Sequence, residues 1–150
     1  MEFYKLIENI EVNCQQFYKI NCSQDIFKAV GDLIRLSQEL EHEYKRLAEK
    51  LGVKTKGLNT KSLNIINKLL YGERRIDKQS FENLKKVIKV RNYINHSYFL
   101  NDFAKDNIEQ EKILNFSCFI LCEGSDIISN LIDKTDGVSI IRPTVFDNYN

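Results

Sequence analysis

The run Arg91-Asn92-Tyr93-Ile94-Asn95-His96-Ser97-Tyr98 places an arginine, an asparagine and a histidine within two helical turns. His96 is one of only two histidines in the chain. Cleaving a phosphodiester requires a group that can move a proton near neutral pH and a cation to meet charge developing on phosphate oxygens. Histidine and arginine supply those two roles, and neither role needs a metal. The chain shows no Gly-rich phosphate loop, no zinc-knuckle spacing and no acidic cluster suited to Mg²⁺, so hydrolysis by those routes is not expected. No metal and no other cofactor is expected. The competing reading of the same eight residues is structural: they simply close a core helix.

The segment that carries these residues is predicted to be helical over about residues 79–99, with Phe81, Leu84, Val87, Ile88, Ile94 and Tyr98 on one broad face. Arg91 falls inside that apolar arc, between Leu84 and Tyr98. A guanidinium there is costly unless it is paired or lies at an interface or cleft. Glu39 and Glu43 are the carboxylates expected to pair with it if its role is structural. His96 lies five residues on, about 140° around the same helix. In one straight helix the two side chains diverge. A shared phosphate site therefore needs a bent helix end or a second copy of the helix across a two-fold axis. Asn92 and His96 stand at i and i+4, close enough for the amide to orient the imidazole, and Asn95 stands likewise to Arg91.

The elements around this helix read the same way. Residues 2–20 space Phe3, Leu6, Ile7, Ile10, Cys14 and Phe17 as a helix, and Ser23 is a candidate cap for the next one. Ile26, Val30, Leu33, Ser37, Leu40, Tyr44, Leu47 and Leu51 then alternate steps of four and three, a coiled-coil-like seam that ends at Gly52. Thr60 is placed to cap a short helix with Leu63, Ile66, Leu69 and Leu70, and Gly72 to Lys78 form a charged connection. A last helix is predicted over about 107–134, burying Ile108, Leu114, Cys118, Leu121, Ser125, Ile128 and Ile132. The expected architecture is an all-α, antiparallel four-to-five-helix bundle over residues 1–136. A short, apolar, extended tail (137–150) should pack on that bundle or on a second protomer.

Composition agrees. The 150 residues suit one domain able to bury its own core, and 6 Gly with 1 Pro leave little punctuation for a many-stranded protein. No apolar run approaches the ~20 residues that span a membrane, and the first residues lack the pattern of a signal peptide. The four cysteines, at 14, 22, 118 and 122, lie inside apolar helical patterns, which fits reduced thiols in a cytoplasmic core. The net charge of +1 conceals an asymmetry. Residues 54–91 hold eleven Lys/Arg against three acids, whereas the rest holds eleven against eighteen. This basic segment runs directly into the Arg91/His96 motif, which is the electrostatic footprint of phosphate-backbone binding. Lys85, Lys86 and Lys89 are its candidate nucleic-acid backbone contacts. A solvated basic face without a ligand is the alternative.

Arg91-Asn92-x-x-x-His96 closing an amphipathic helix of a small all-helical chain resembles the HEPN superfamily. The continuation His96-Ser97-Tyr98 is similar to the HepT toxin branch. The resemblance implies a metal-independent endoribonuclease of a toxin–antitoxin or antiphage system, working as a homodimer with a composite cleft. It implies catalytic roles for Arg91, Asn92 and His96. Tyr98 would line the cleft or be modified by a small nucleotidyltransferase antitoxin. Some members of the superfamily lack activity, so a non-catalytic module that binds nucleotide, RNA or a partner protein is the other expectation.

Overall fold

The computed structural model describes residues 26–53, 57, 61–96 and 107–138. Helices account for 85% of these residues, and no strand occurs among them. They are α1 (Ile26–Lys50), α2 (Leu63–Gly72), α3 (Lys78–His96) and α4 (Asn107–Thr135). The segment expected to form the first helix, the residue Tyr98 and the tail beyond Val138 lie outside the described residues.

α1 forms because its apolar residues recur at steps of three and four. Val30, Leu33, Ser37, Leu40, Tyr44 and Leu47 are all buried, as the seam predicts. The seam also buries a polar atom without a partner, since Ser37 Oγ accepts and donates no hydrogen bond among the described residues. α1 stops at Gly52, whose φ of 79° lets Val53 N–H reach the Ala48 carbonyl and Gly52 N–H that of Glu49. This is the Schellman closure that favours glycine. α4 ends identically around Gly137, at φ 82°.

α2 begins two residues later than Thr60 would place it. Ser62 is the cap, its hydroxyl accepting from Ile65 N–H at 3.3 Å. α2 also ends one residue later than the reading that began the charged connection at Gly72. The helix runs through Gly72, and the left-handed residue is Arg74 at φ 58°. Asp77 then caps α3, its carboxylate accepting from Ser80 N–H at 2.7 Å.

Three contacts fix the layout. Lys50 Nζ lies 3.0 Å from the Asp136 carboxylate, so the C-terminal ends of α1 and α4 meet. Midway along, a Cβ built on Gly124 of α4 would come within 2.4 Å of Val87 Cγ1 and 3.1 Å of Leu40 Cδ1. Glycine is needed there because three helices converge. The buried Tyr44 hydroxyl donates to Asn67 Oδ1, and Asn67 Nδ2 donates to the Phe81 carbonyl at 3.1 Å. That pair of bonds ties α1 to α2 and the start of α3. Consecutive long helices are thus antiparallel, and α1 and α4 run parallel against each other. From Ile113 to Gly124, α4 is buried on nearly every side, more completely than the motif helix α3. Cys118 and Cys122 are free thiols on successive turns of α4. The hydrogen bond between them, with burial, pushes the Cys122 thiol well above its usual range. No helix among the described residues is long and apolar enough to cross a membrane.

Candidate functional site

The motif occupies the last turns of α3. The predicted apolar face is buried at Leu84, Val87, Ile88 and Ile94, and Asn83, Val90 and Tyr93 are buried as well. Only a narrow side of this helix therefore reaches solvent. Arg91 sits at the edge of the buried side and His96 on the exposed side. The divergence of about 140° expected from helical geometry is what the fold shows, since α3 continues as a helix to His96. Within one copy the two side chains do not converge.

Arg91 meets the requirement that a cation in an apolar arc be paired. Its partner is neither Glu39 nor Glu43. Nη2–H donates to Glu41 Oε2 at 2.7 Å, with the arginine side chain 14% and the glutamate side chain 31% exposed. The reason is angular. Glu39 and Glu43 stand two residues either side of Glu41, about 200° away, and point off the packed face. Glu39 is exposed, and Glu43 instead takes Arg46 at 3.2 Å.

Glu41 also accepts from Lys45 Nζ at 2.8 Å, one turn on. The Lys45 hydrogen bond and the fields of Arg91 and Lys45 hold this carboxyl below its ordinary value of 4.5, against the opposing effect of burial. Two cations thus share one carboxylate, and the cluster keeps a net charge of +1. A guanidinium has five N–H donors, and two of them are engaged here. The second is Nη1–H, which donates to Asn92 Oδ1 at 3.1 Å. Asn92 is therefore turned toward Arg91, and no hydrogen bond joins it to His96 among the described residues. This corrects the expectation that Asn92 orients the imidazole. Two further atoms of the cluster, Arg91 Nε and Asn95 Oδ1, are buried without partners among the described residues. They belong to residues one helical turn apart, so Asn95 is placed beside Arg91 as expected but does not bond it.

Lys85 and Lys89 are exposed, whereas Lys86 is half-buried and makes its own interaction within the chain. No group of three His, Cys, Asp or Glu side chains converges among the described residues as metal binding would need. An open cleft of about 250 Å³ lies between Leu51, Arg75, Ile76, Leu131 and Lys134. It sits at the start of α3, about 28 Å along the helix from His96, and includes none of the motif residues.

Glu41 and Lys45 were missed as site residues, and the signal for them was slight. Glu41 directly follows the seam residue Leu40, and a lysine stands four residues after it. The arginine's need for a carboxylate was legible, but the face of α1 that would supply it was not. Neither family models, nor curated proteins, nor solved structures give a match to this chain.

Proposed function

We propose that this chain is a metal-independent endoribonuclease of the toxin or defence-effector kind, with a composite Arg91/His96 site assembled across a homodimer. The observation that carries this reading is the state of the two groups. Arg91 is held by Glu41 and Asn92 with two Nη donors left over among the described residues, and His96 stands exposed at the end of the same helix. A positioned cation and an exposed imidazole are the two groups that 2′-hydroxyl attack on phosphorus requires.

In the reaction, His96 removes the proton of the 2′-hydroxyl as its oxygen bonds to phosphorus. Arg91 stabilises the charge gathering on the phosphoryl oxygens. The 5′-oxygen leaves and takes a proton from the imidazolium of the second copy or from water. The products are a 2′,3′-cyclic phosphate and a 5′-hydroxyl. Asn92 fixes the guanidinium. The resemblance to HepT-like toxins adds Tyr98 as a modification site and a small nucleotidyltransferase as the neutralising partner.

One observation favours a second reading. An arginine paired at 2.7 Å with a carboxylate of the neighbouring helix is also what a purely structural ion pair looks like. On that reading the chain is a non-catalytic helical module that binds RNA, nucleotide or a partner protein.

The deciding experiment incubates purified protein with single-stranded RNA in EDTA and identifies the termini produced. Cleavage to 2′,3′-cyclic phosphate is expected, and His96→Ala and Arg91→Ala should each lower the rate by at least about 10²-fold. Folded mutants that cleave like wild type would remove the site. Wild type that binds but never cuts would leave the module.

A further inference from the structure

We infer that the exposed line of α3 formed by Lys78, Lys85 and Lys89 is the track on which a single-stranded RNA backbone lies, leading to His96. This deepens the ribonuclease reading and rests on it for the identity of the ligand.

The inference starts from register. Taking Lys78 as the origin at 100° per residue, Lys85, Lys89, Asn92 and His96 all fall within about 40° of one line along the helix. Arg91 lies about 140° away, on the packed side. The line is about 27 Å long, from the first residue of α3 to the last. Lys78, Lys85, Lys89 and His96 are exposed. Among the described residues none of the three lysines has an ion-pair partner, in contrast to Arg91, Lys45, Arg46 and Lys50.

The surroundings add little negative charge. α2, which packs against α3, carries no acidic residue, and its one charged side chain is the exposed Lys68. The one acid of α3 is Glu82, half-buried and about 40° from Lys78 on the Lys89 side, so the row stays basic by three lysines to one carboxylate. A row of unpaired cations about 6–10 Å apart along a rigid rod, ending in a histidine, is suited to a chain of phosphates. It is poorly suited to a small anion, which one or two of these lysines would satisfy. Lys86 is adjacent in sequence but about 80° off the line, half-buried and engaged elsewhere in the chain. The track therefore excludes one of the three lysines that the sequence alone puts forward and adds Lys78.

The test uses the full chain carrying His96→Ala, so that the probe survives, and a fluorescent oligouridine of about 12 nucleotides. Affinity is measured against salt concentration. Each of Lys78→Ala, Lys85→Ala and Lys89→Ala should reduce the magnitude of the log–log salt slope by about 0.7, and the triple variant by about 2. Lys86→Ala and Arg46→Ala change net charge equally but lie off the line, and they should change the slope by less than half as much as an on-line variant. An unchanged slope in the triple variant, or an equal loss from Arg46→Ala, overturns the track. Cleavage by chains with His96 intact separates this result from the reading beneath it. RNA cut by a triple variant with wild-type salt dependence would sink the track alone. A slope that depends on the three lysines without any cleavage would sink the nuclease and leave the track standing.

Discussion

At Arg91 an observed structural role and the proposed chemical one fall on the same residue. Its position in the apolar arc obliges it to find a carboxylate, and the proposed ribonuclease reading asks its remaining Nη donors to meet a phosphate as well. The Glu41 carboxyl is held below its ordinary value by Lys45 and Arg91. A carboxyl whose pKa falls on folding adds stability above its unfolded value, and that stability is lost as pH falls through the folded value. Replacing Glu41 with glutamine should therefore destabilise the protein by about 1.5–3 kcal/mol at neutral pH, the range for a hydrogen bond to a charged group. The gap between wild type and Glu41→Gln should be full well above the unfolded carboxyl value of about 4.3 and narrow as the pH falls below it, through the lowered folded value. Urea unfolding at several pH values measures this. A gap independent of pH would mean that Glu41 contributes shape rather than charge. The sequence made the need for a partner legible because burial of a cation follows from helical spacing alone. It did not reveal which glutamate answers, because that depends on how α1 is rotated against α3.

At the scale of elements, periodicity was most readable where one face alone is buried. The α1 seam, the start of α3 and the apolar face of α4 follow from spacing. What spacing could not show is the second buried face of α3 and α4, because Asn83, Val90, Tyr93, Ser117 and Glu123 break the pattern yet are buried by neighbouring elements. Asn67 was invisible for the same reason. An asparagine reads as polar surface until Tyr44 and the Phe81 carbonyl are seen to satisfy it. Helix ends were half legible. Gly52 closes α1 as its type suggests, whereas α2 runs through Gly72 and closes on Arg74. A non-glycine residue in the left-handed region carries a steric cost of about 1–2 kcal/mol, part of which glycine returns through its freer unfolded chain. Arg74→Gly should stabilise the fold by up to about 1 kcal/mol, a rise in melting temperature of about 2–4 °C. Calorimetry showing a lower melting temperature would mean that the exposed Arg74 side chain makes a contribution its backbone strain does not reveal.

For the whole molecule, the arrangement of α3 bears on assembly. The helix is continuous to His96, so no bend within the described residues brings the imidazole round to Arg91. The proposed chemistry then needs the second histidine or the second arginine from another copy. A two-fold axis near the end of α3 would supply it, because each protomer would then present the same pair of groups to its partner. This is a stronger condition than dimerisation as such, since the contact must lie at the α3 C-terminal end and not at the cleft beside Leu51 and Lys134. Sedimentation should accordingly show a dimer at tens of micromolar. Mixing two inactive variants, His96→Ala and Arg91→Ala, should then restore part of the ribonuclease activity, because a heterodimer holds one intact Arg91 and one intact His96. Random exchange produces heterodimers as about half of the population, and if the surviving pair faces one shared site, about a quarter to a half of wild-type activity should return. A monomer that cleaves RNA would show that both groups act from one chain. A dimer whose mixed variants stay inactive would show that the second copy supports the fold without completing the site.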